Sequence, residues 1–391
     1  MKSEKKIKNI IVSTHDPLYP IRGGGGLRTL KAAEEFKKRG YNVIIIAPAE
    51  GVGELNGIKI HWLHAPKKQR SQILSTIKFN IRLLRKFLQF AAQTDMFFVH
   101  NTIAAVFMPF LKKIFKFRFV LDITDIHAEY LPIGERNWFE KASTPFFIKY
   151  EYFIIKSADY IITVTNAMKM LLISKGVDPD KIEIVYDGAD IENIPKQKTE
   201  DAESGIIHLG TIDRQHGVEL IVQAIPIVMK EMPGARFYFV GGGRELPNIM
   251  RLAENLRIQD NCVFTGYLPY EKAREYLECA SIGIVPRRDC LANRIVTTLK
   301  LYEYWASATA VVSSELEGVR EIAEDRRNIL FFEPGNVNKL ARSILTLLKD
   351  SELKNRLIKN GLLHVENFEW CKMICKIADH SLSPLINCQH E

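Results

Sequence analysis

The chain has 391 residues, more than one average domain holds, so we expect two domains of roughly 150–200 residues each. Hydrophobic residues make up 47% and charged residues 26%, the composition of a globular protein with a sizeable core. Residues 1–190 carry 29 Lys and Arg against 19 Asp and Glu, whereas the remainder carries 25 against 27. This asymmetry predicts that one domain faces a polyanion or an anionic membrane surface.

No apolar run reaches the roughly 18 residues of a transmembrane helix, and the polar N-terminus (MKSEKKIKN) leads directly into a strand. We therefore expect neither a signal peptide nor a transmembrane span. The six cysteines include no Cys-x-x-Cys pair and mostly lie in apolar stretches, which indicates reduced, buried thiols. These features predict a cytoplasmic protein.

A strand, a helix and a second strand open the chain. Residues 9–13 (NIIVS) and 41–48 (YNVIIIAP) have the character of buried strands, and the amphipathic helix between them ends at Gly40. Such a unit is parallel and right-handed. Four glycines at 23–26 precede the helix, where backbone amides can hold a phosphate; a flexible loop without a ligand is the alternative. Because they lack the G-x-G-x-x-G pattern and its downstream acid, a dinucleotide site is poorly supported.

Two segments of the first half combine apolar and basic side chains. Residues 55–94 contain eight basic and no acidic residues. In their predicted helix, one face carries Ile73, Ile77, Ile81, Leu84 and Leu88, and the opposite side carries Lys78, Arg82, Arg85 and Lys86. Residues 107–119 (FMPFLKKIFKFRF) again interleave aromatic and basic residues. A basic amphipathic helix can lie in a membrane interface, and the alternative is a helix whose apolar face packs into the core. Two such segments favour contact with a membrane surface.

Further strands of the first half are predicted at 95–100 (DMFFVH), 117–125 (FRFVLDITD) and 158–165 (ADYIITVT). Asp125 and His127 follow the second of these. Ligands of open α/β sheets bind beyond the carboxyl ends of the strands, so both residues are well placed to act as a general base or to orient a substrate. A structural hydrogen bond is the alternative for a lone histidine.

The polar residues 194–204 (IPKQKTEDAES) lack hydrophobic periodicity and predict a domain linker. Strands and helices then alternate again. The predicted strands lie in 205–212 (GIIHLGTI), 235–243 (ARFYFVGGG), 262–268 (CVFTGYL), 281–286 (SIGIVP) and 328–334 (NILFFEP). Alternation in both halves predicts an α/β fold of two doubly wound parallel-sheet domains, with the ligand site in the cleft between them.

Residues 296–322 (VTTLKLYEYWASATAVVSSELEGVREI) predict a helix, a short buried strand at 309–313 and the start of a second helix. Within the first helix, Leu299, Tyr302, Tyr304 and Trp305 surround Glu303. A carboxylate in so apolar a helix requires hydrogen-bond partners for both oxygens. A ribose diol is one such partner, and a neighbouring Lys or Arg is the alternative.

In order and spacing, these segments resemble the retaining GT-B glycosyltransferases of the large family 4 type (glycosyl transferases group 1). The segments that carry the resemblance, over nearly the whole chain, are LRTLKAAEEFKKRGYNV, ADYIITVT, KIEIVYDGAD, VGGG, FTGYL, TTLKLYEYWASATAVVSSELEGVREI and NFEWCKMICKI. The resemblance implies two Rossmann-like domains facing across a cleft. An acceptor-binding domain would span 1–193, the linker 194–204 and a nucleotide-sugar-binding domain 205–367. A C-terminal helix and tail at 368–391 would cross back to the first domain.

The sequence departs from the family pattern at the donor site. Many relatives carry two glutamates separated by seven residues; the second corresponds to Glu303, and the first falls at Ile295. The usual Arg and Lys that grip the diphosphate fall at Thr211 and His216. A diphosphate can be bound by any well-placed cation or cluster of backbone amides. The candidate replacements are Arg214, Lys300 and Arg294.

The resemblance implies transfer of a sugar from a nucleotide-diphosphate donor, with retention and without a metal ion or cofactor; no Asp-x-Asp or His/Cys cluster with ligand spacing stands out. Glu303 would bind the donor ribose, amides near Thr298 and Leu299 would meet the phosphates, and the region of Tyr267 would lie against the base. Asp125 or His127 would orient or deprotonate the acceptor hydroxyl. The implied donor-binding residues are Gly24, Gly25, Gly210, Thr211, Arg214, His216, Tyr267, Thr298, Leu299, Lys300 and Glu303.

The basic first domain favours a membrane-held acceptor, such as a polyprenyl-linked saccharide or a glycolipid, in the synthesis of cell-surface polysaccharide or glycolipid. The protein would then be peripheral on the cytoplasmic face of a membrane. A soluble acceptor is the alternative within the same chemistry. A non-catalytic GT-B-like subunit supporting a partner transferase is another, because of the substitutions at the donor site. An oxidoreductase lacks its dinucleotide fingerprint, and nucleic-acid binding is disfavoured because the aromatic residues lie in helix and strand interiors.

Overall fold

The computed structural model describes residues 7–21, 23–64, 72–133, 138–191 and 205–383. The chain divides into two units, one formed by residues 1–186 with 373–391 and the other by residues 187–372. Each unit is built around a largely parallel sheet, which confirms the predicted fold class. The predicted linker at 194–204 lies outside the described residues.

The described part of the first unit contains an eight-stranded sheet in the order β3-β4-β2-β1-β5-β6-β7-β8. Its strands are β1 (Asn9–Thr14), β2 (Asn42–Pro48), β3 (Glu54–Leu55), β4 (Ile58–Leu63), β5 (Met96–His100), β6 (Arg118–Ile123), β7 (Tyr160–Thr163) and β8 (Ile182–Ile184). Its helices are α1 (Gly24–Lys38), α2 (Gln72–Phe90), α3 (Met108–Phe115), α4 (Trp138–Ser157) and α5 (Asn166–Ser174). Every pairing is parallel except that of the short β3 with β4. The sequence analysis does not predict β4 or α4.

The described part of the second unit contains a six-stranded parallel sheet in the order β11-β10-β9-β12-β13-β14. Its strands are β9 (Gly205–Leu209), β10 (Arg236–Val240), β11 (Cys262–Gly266), β12 (Ile282–Val285), β13 (Ala310–Ser314) and β14 (Leu330–Phe332). Its helices are α6 (Glu219–Glu231), α7 (Leu246–Asn255), α8 (Tyr270–Glu275), α9 (Leu291–Arg294), α10 (Leu299–Ala306), α11 (Glu317–Arg320), α12 (Val337–Lys349) and α13 (Ser351–Val365). These elements confirm the strands predicted for this half.

The central strands read as continuous apolar runs because helices cover both faces of the sheet. All five residues of β5 are buried, and so are all five of β13. In both sheets the first strand lies in the middle, and the later strands add outwards on either side of it. β1 thus lies between β2 and β5, and β9 between β10 and β12. Open parallel sheets bind ligands at such a switch point, beyond the carboxyl ends of the strands.

Helix α2 packs on the sheet through a different face from the predicted one. Phe79, Leu83 and Phe87 are each 1% exposed, whereas Ile77 and Ile81 are 48% and 42% exposed. Leu88 is also exposed, Leu84 is half-buried, and the side chain of Ile73 lies outside the described residues. Two phenylalanines and a leucine at intervals of four residues bury more apolar area than the isoleucine face does, so they occupy the core.

The second aromatic and basic segment forms α3 and the start of β6. Phe110 and Ile114 are 49% and 69% exposed, and Lys113 and Lys116 are exposed as well. The other two basic residues are held within the unit. Lys112 donates to Asp159, and Arg118 donates to the carbonyls of Ser381 and Ser383. Half of the basic side chains in this segment therefore remain exposed.

Helix α14 (Trp370–Leu382) begins in the second unit, and its residues from Met373 onwards belong to the first. Arg39 donates to Asp379 Oδ1 at 2.6 Å and to the Cys375 carbonyl at 3.2 Å. Ile377 is fully buried. The C-terminal helix is therefore part of the first unit, as the family resemblance implies.

None of the described helices is long and apolar enough to cross a membrane. The five cysteines within the described residues are free thiols. They are half-buried or, at Cys371, exposed, so the prediction of buried thiols is wrong for them. Cys262 opens the edge strand β11 and Cys371 lies in the first turn of α14, positions that leave a side chain partly open.

Candidate functional site

In the first unit, polar side chains converge at the carboxyl ends of β1, β5 and β6, which are neighbours in the sheet. Arg28 and Asp122, both fully buried, form the base of this cluster. The guanidinium donates to Asp122 through Nε at 2.9 Å and Nη2 at 2.9 Å. It also donates to the carbonyls of Val185 and Tyr186 just after β8. A bidentate pair with its remaining donors satisfied is the geometry in which a buried ion pair is stable.

His100, the last residue of β5, connects this pair to the surface. Its Nδ1 donates to Asp122 Oδ2 at 2.8 Å. Its Nε2 lies 3.2 Å from Asn101 Nδ2 and 3.7 Å from Asp16 Oδ2. Burial by itself would lower the pKa of His100, but the hydrogen bond to Asp122 and the charges of Asp122 and Asp16 raise it. The Asp16 side chain is 31% exposed. A chain of polar contacts therefore runs from a buried arginine to a carboxylate that solvent reaches.

Gly25 packs against the outer end of this chain. A Cβ atom at this position would lie 2.2 Å from Asp16 Oδ2 and 2.8 Å from His100 Nε2. Gly24 to Gly26 form the first turn of α1 rather than a flexible loop. The glycines thus bring the N-terminal amides of a helix next to Asp16, because no side chain intervenes.

The predicted catalytic residues Asp125 and His127 lie at the same edge. Asp125 Oδ1 accepts a hydrogen bond from the Tyr130 hydroxyl at 2.8 Å. The ring of His127 meets that of His15 edge-on, with centroids 5.1 Å apart. Its Nδ1 is buried and has no hydrogen-bond partner among the described residues. Burial and the charge of His15 lower the pKa of His127, so this imidazole is neutral at pH 7. Both residues therefore remain candidates for contact with an acceptor.

In the second unit, Tyr304 anchors α10 to the sheet. The backbone N–H of Leu209 donates to its hydroxyl at 2.9 Å, and the hydroxyl donates to the Ile207 carbonyl at 3.3 Å. Gly283 of β12 lies under the ring, where a Cβ would come within 2.5 Å of it. These contacts hold the start of α10, with Thr298, Leu299 and Lys300, at the carboxyl end of β9.

Lys300 lies over the backbone of Gly210, which has a φ of +115°. A Cβ on Gly210 would lie 2.9 Å from the Lys300 ammonium. Burial and the positive charges of Lys300 and Arg287 lower the pKa of His208 to about 3 and that of His216 well below 6.5. Lys300, Arg287 and two neutral histidines thus share one site at the switch point. Two cationic side chains this close to each other favour an anion as the ligand.

The other two candidate cations have carboxylate partners. Arg214 Nε lies 3.3 Å from Glu245 Oε1. Arg294 Nε lies 2.5 Å from Asp289 Oδ1. Their charges are therefore offset, and of the three candidates Lys300 is the one that the structure brings to the switch point.

The remaining predicted donor residues lie around the same edge. Glu303 is 8% exposed and follows Lys300 by three positions on α10. Tyr267 is 45% exposed, and its ring covers Gly242 so closely that a Cβ there would lie 2.7 Å away. Thr211 follows Gly210 in the loop after β9. Ile295, at the position of the first family glutamate, is 3% exposed and supplies no carboxylate.

The sequence analysis missed several residues of these clusters, namely Asp16, Arg28, His100 and Asp122 in the first unit and His208 and Arg287 in the second. Three of these six residues share one sequence signal. His100, Asp122 and His208 are isolated polar residues in otherwise apolar strands, close to the carboxyl end of each. Such residues point to the ligand edge of a parallel sheet.

Two family models match the chain. The model described as Glycosyltransferase Family 4 matches residues 22–193, and that described as Glycosyl transferases group 1 matches residues 190–364. The chain is 26% identical to an uncharacterised glycosyltransferase of Methanocaldococcus jannaschii over 95% of its own length and 97% of the relative's.

It is 21% identical to a Campylobacter jejuni relative over 91% of its own length and 95% of the relative's. That relative is named N-acetylgalactosamine-N,N'-diacetylbacillosaminyl-diphospho-undecaprenol 4-alpha-N-acetylgalactosaminyltransferase. Among solved structures, HepE from Anabaena, crystallised with UDP and glucose, superposes with a TM-score of 0.76. This match has 15% identity and covers 97% of this chain and 100% of HepE. Two parallel-sheet units with this likeness form a GT-B fold, and together with the two family models they show that the chain belongs to the group 1 glycosyltransferases of the family 4 type.

Proposed function

We propose that this glycosyltransferase moves a hexose from a nucleotide-diphosphate sugar to a saccharide acceptor that is lipid-linked or membrane-associated, with retention of anomeric configuration. The observation that carries the proposal is the positively charged site at the switch point of the second sheet, next to the buried Glu303. A diphosphate is a ligand whose negative charge Lys300 and Arg287 attract, and a ribose has hydroxyls that can donate to a buried carboxylate.

On the donor side, Glu303 binds the ribose hydroxyls, and the backbone amides near Thr298 and Leu299 meet the phosphates at the N-terminus of α10. The exposed ring of Tyr267 lies against the base. Gly24 and Gly25 approach the leaving diphosphate through the amides of α1. The bond between the anomeric carbon and the phosphate oxygen breaks, and the acceptor oxygen bonds to that carbon. The hydroxyl proton passes to the leaving phosphate or to a carboxylate.

On the acceptor side, the first unit offers two carboxylates, Asp16 and Asp125, together with His127. Asp16 is held by the buried ion pairs behind it, and Asp125 is held by Tyr130. We propose that these groups orient the acceptor hydroxyl. No metal ion is required, because lysine and arginine charges take its place at the diphosphate, so chelation should leave turnover unchanged.

The class of acceptor follows from the basic first unit and from the acceptor named for the Campylobacter jejuni relative, a saccharide on diphospho-undecaprenol. A peripheral position on the cytoplasmic face of a membrane would bring the first unit to such an acceptor. A non-catalytic subunit supporting a partner transferase is the second candidate. The observation that favours it is the buried Ile295, where many relatives have a glutamate.

The proposal is tested by isothermal calorimetry with UDP-, GDP-, ADP- and dTDP-sugars. We expect one nucleotide to bind the wild type at micromolar affinity. Glu303→Ala should weaken that binding about 10- to 100-fold, the equivalent of losing hydrogen bonds to a charged group. Glu254→Ala is the matched control, since it removes an exposed carboxylate on α7. Failure of every donor to bind would refute the donor assignment and favour the non-catalytic subunit.

A further inference from the structure

We propose that Arg287, acting with Lys300, binds the diphosphate of the donor in place of the family cations that are missing at Thr211 and His216. This inference rests on the proposed function, since it assumes a nucleotide-diphosphate ligand. Arg287 lies just after β12, in a segment to which the sequence analysis gave no role. Arg287 would therefore supply the positive charge from a different loop at the same edge of the sheet.

The arginines around this site differ in how their charges are offset. Arg214, Arg288 and Arg294 each contact a carboxylate: Glu245 at 3.3 Å, Glu219 at 2.5 Å and Asp289 at 2.5 Å, respectively. Among the described residues, Arg287 has no carboxylate partner. Its Nη1 donates to the neutral Asn293 Oδ1 at 3.2 Å, and its Nε has no hydrogen-bond partner.

Arg287 is also the most buried of these arginines, with 9% exposure. Burying a guanidinium without an anion costs several kcal/mol, so such residues are normally paired or hold a ligand. The neighbouring His208 is 2% exposed, and its Nδ1 lies 3.3 Å from the Ile284 carbonyl oxygen. An anion with several acceptor oxygens would satisfy the Arg287 Nε–H, which has no partner in the described part of the chain.

The surrounding backbone fixes this position. Gly217 has a φ of +65°, and a Cβ there would lie 2.0 Å from the Pro286 carbonyl oxygen, so the loop after β9 packs directly on the segment after β12. Asn293 Nδ2 donates to the carbonyls of Gln215 and Arg288 and ties these two segments together. Arg287 is therefore held at the switch point between β9 and β12, where a planar guanidinium can bind phosphate oxygens in a bidentate manner.

The test compares the wild type with Arg287→Gln and Arg287→Lys, and with Arg288→Gln as the control. Calorimetry measures the affinity of each protein for three ligands: inorganic pyrophosphate, and the nucleoside and nucleoside diphosphate of the donor that the panel selects. We expect Arg287→Gln to weaken binding of the diphosphate and of pyrophosphate about 10- to 100-fold and to leave the nucleoside unchanged. Arg287→Lys should recover part of the loss, and Arg288→Gln should match the wild type.

Thermal unfolding without ligand separates this role from a structural one. Arg287→Gln removes a buried charge that has no anion beside it. The melting temperature of this variant should therefore equal or exceed that of the wild type. A lower melting temperature, or undiminished diphosphate binding, would overturn the inference. If the wild type binds pyrophosphate through Arg287 but binds no nucleotide, the anion site stands and the proposed donor fails. Absence of pyrophosphate and nucleotide binding alike would refute both.

Discussion

At the scale of single residues, the most constrained feature is the chain Arg28–Asp122–His100–Asp16. Burial by itself would raise the pKa of Asp122, but the charge of Arg28 and the hydrogen bond from His100 hold it well below its usual range. The Arg28 end of the chain is fixed in geometry, because Arg28 also binds two backbone carbonyls. His100 therefore lies between two carboxylates. Its charge state affects both stability and the position of Asp16.

This arrangement gives a pH dependence with a definite sign. The folded-state pKa of His100 is raised above the ordinary 6.5, so its contribution to stability is complete below that pH and is lost as the pH rises through the folded-state pKa. We expect the gap in urea midpoint between the wild type and His100→Gln to be widest at about pH 6 and to shrink towards alkaline pH. His64→Gln, at a 52% exposed site, is the control. A gap that does not change with pH would contradict this reading.

Gly25 and Gly23 form a matched pair for testing the close approach to Asp16. Gly25→Ala puts a methyl group 2.2 Å from Asp16 Oδ2. We expect a stability loss of about 1–3 kcal/mol, as for other overpacked sites, together with lower turnover of the donor. Gly23→Ala meets nothing within 4 Å and should stay within about 0.5 kcal/mol of the wild type. Calorimetric melting and a donor-turnover assay measure both. Equal behaviour of the two variants would refute the steric argument.

At the scale of elements, α3 and α4 share an exposed aromatic surface. Phe110 of α3 and Phe153 of α4 have ring centroids 6.2 Å apart, and Phe146 stacks on Tyr150 along α4. Ile114 and Phe146 are 69% and 65% exposed. With the exposed Lys113 and Lys116 beside it, this surface has the apolar and basic character that binds anionic lipid.

We expect the protein to sediment with phosphatidylglycerol vesicles at low salt and not with phosphatidylcholine vesicles. Ile114→Glu should weaken this binding about tenfold or more. The change replaces an exposed apolar side chain by a carboxylate, which carries the same negative charge as the lipid. Leu363→Glu changes a 57% exposed leucine of the second unit and should have no effect. Equal sedimentation with both kinds of vesicle would rule out the electrostatic contact.

At the scale of the whole molecule, the chain completes its first unit only with its last helix. The first 186 residues lack α14, whose His380 ring lies 5.0 Å from that of Tyr160 in β7. Arg118 at the start of β6 also binds carbonyls at the end of α14. The stability of the first unit therefore depends on residues more than 200 positions away in sequence.

Ile377→Ala tests this dependence, because Ile377 is fully buried in α14. We expect a loss of about 2–5 kcal/mol, as for other large-to-small substitutions in a core. Hydrogen exchange should quicken in β6 and β7 and stay unchanged in β9 to β14, since these belong to the other unit. Lys376→Ala, at an exposed neighbouring position, is the control. Faster exchange in both units would show that they unfold together.

The alternation of strands and helices, the α/β class and the place of α10 can all be predicted from the amino-acid sequence, because apolar periodicity and motif spacing are local properties. The sequence also placed Asp125, His127 and Lys300 at the ends of strands or at the start of a helix. The face predicted to be buried in α2 was wrong. Whether the Phe79 face or the Ile77 face is buried depends on which of them packs better against the sheet.

Which charged side chains have a carboxylate partner depends on how the chain folds. Arg214, Arg287 and Arg294 look alike in sequence, and their difference lies in whether a carboxylate reaches them after folding. Likewise, Arg28, His100 and Asp122 come from three separate elements and form one hydrogen-bonded cluster only where β5, β6 and α1 meet. Electrostatic energy depends on distance and burial. Both are set by the packing of elements distant in sequence, which no local pattern encodes.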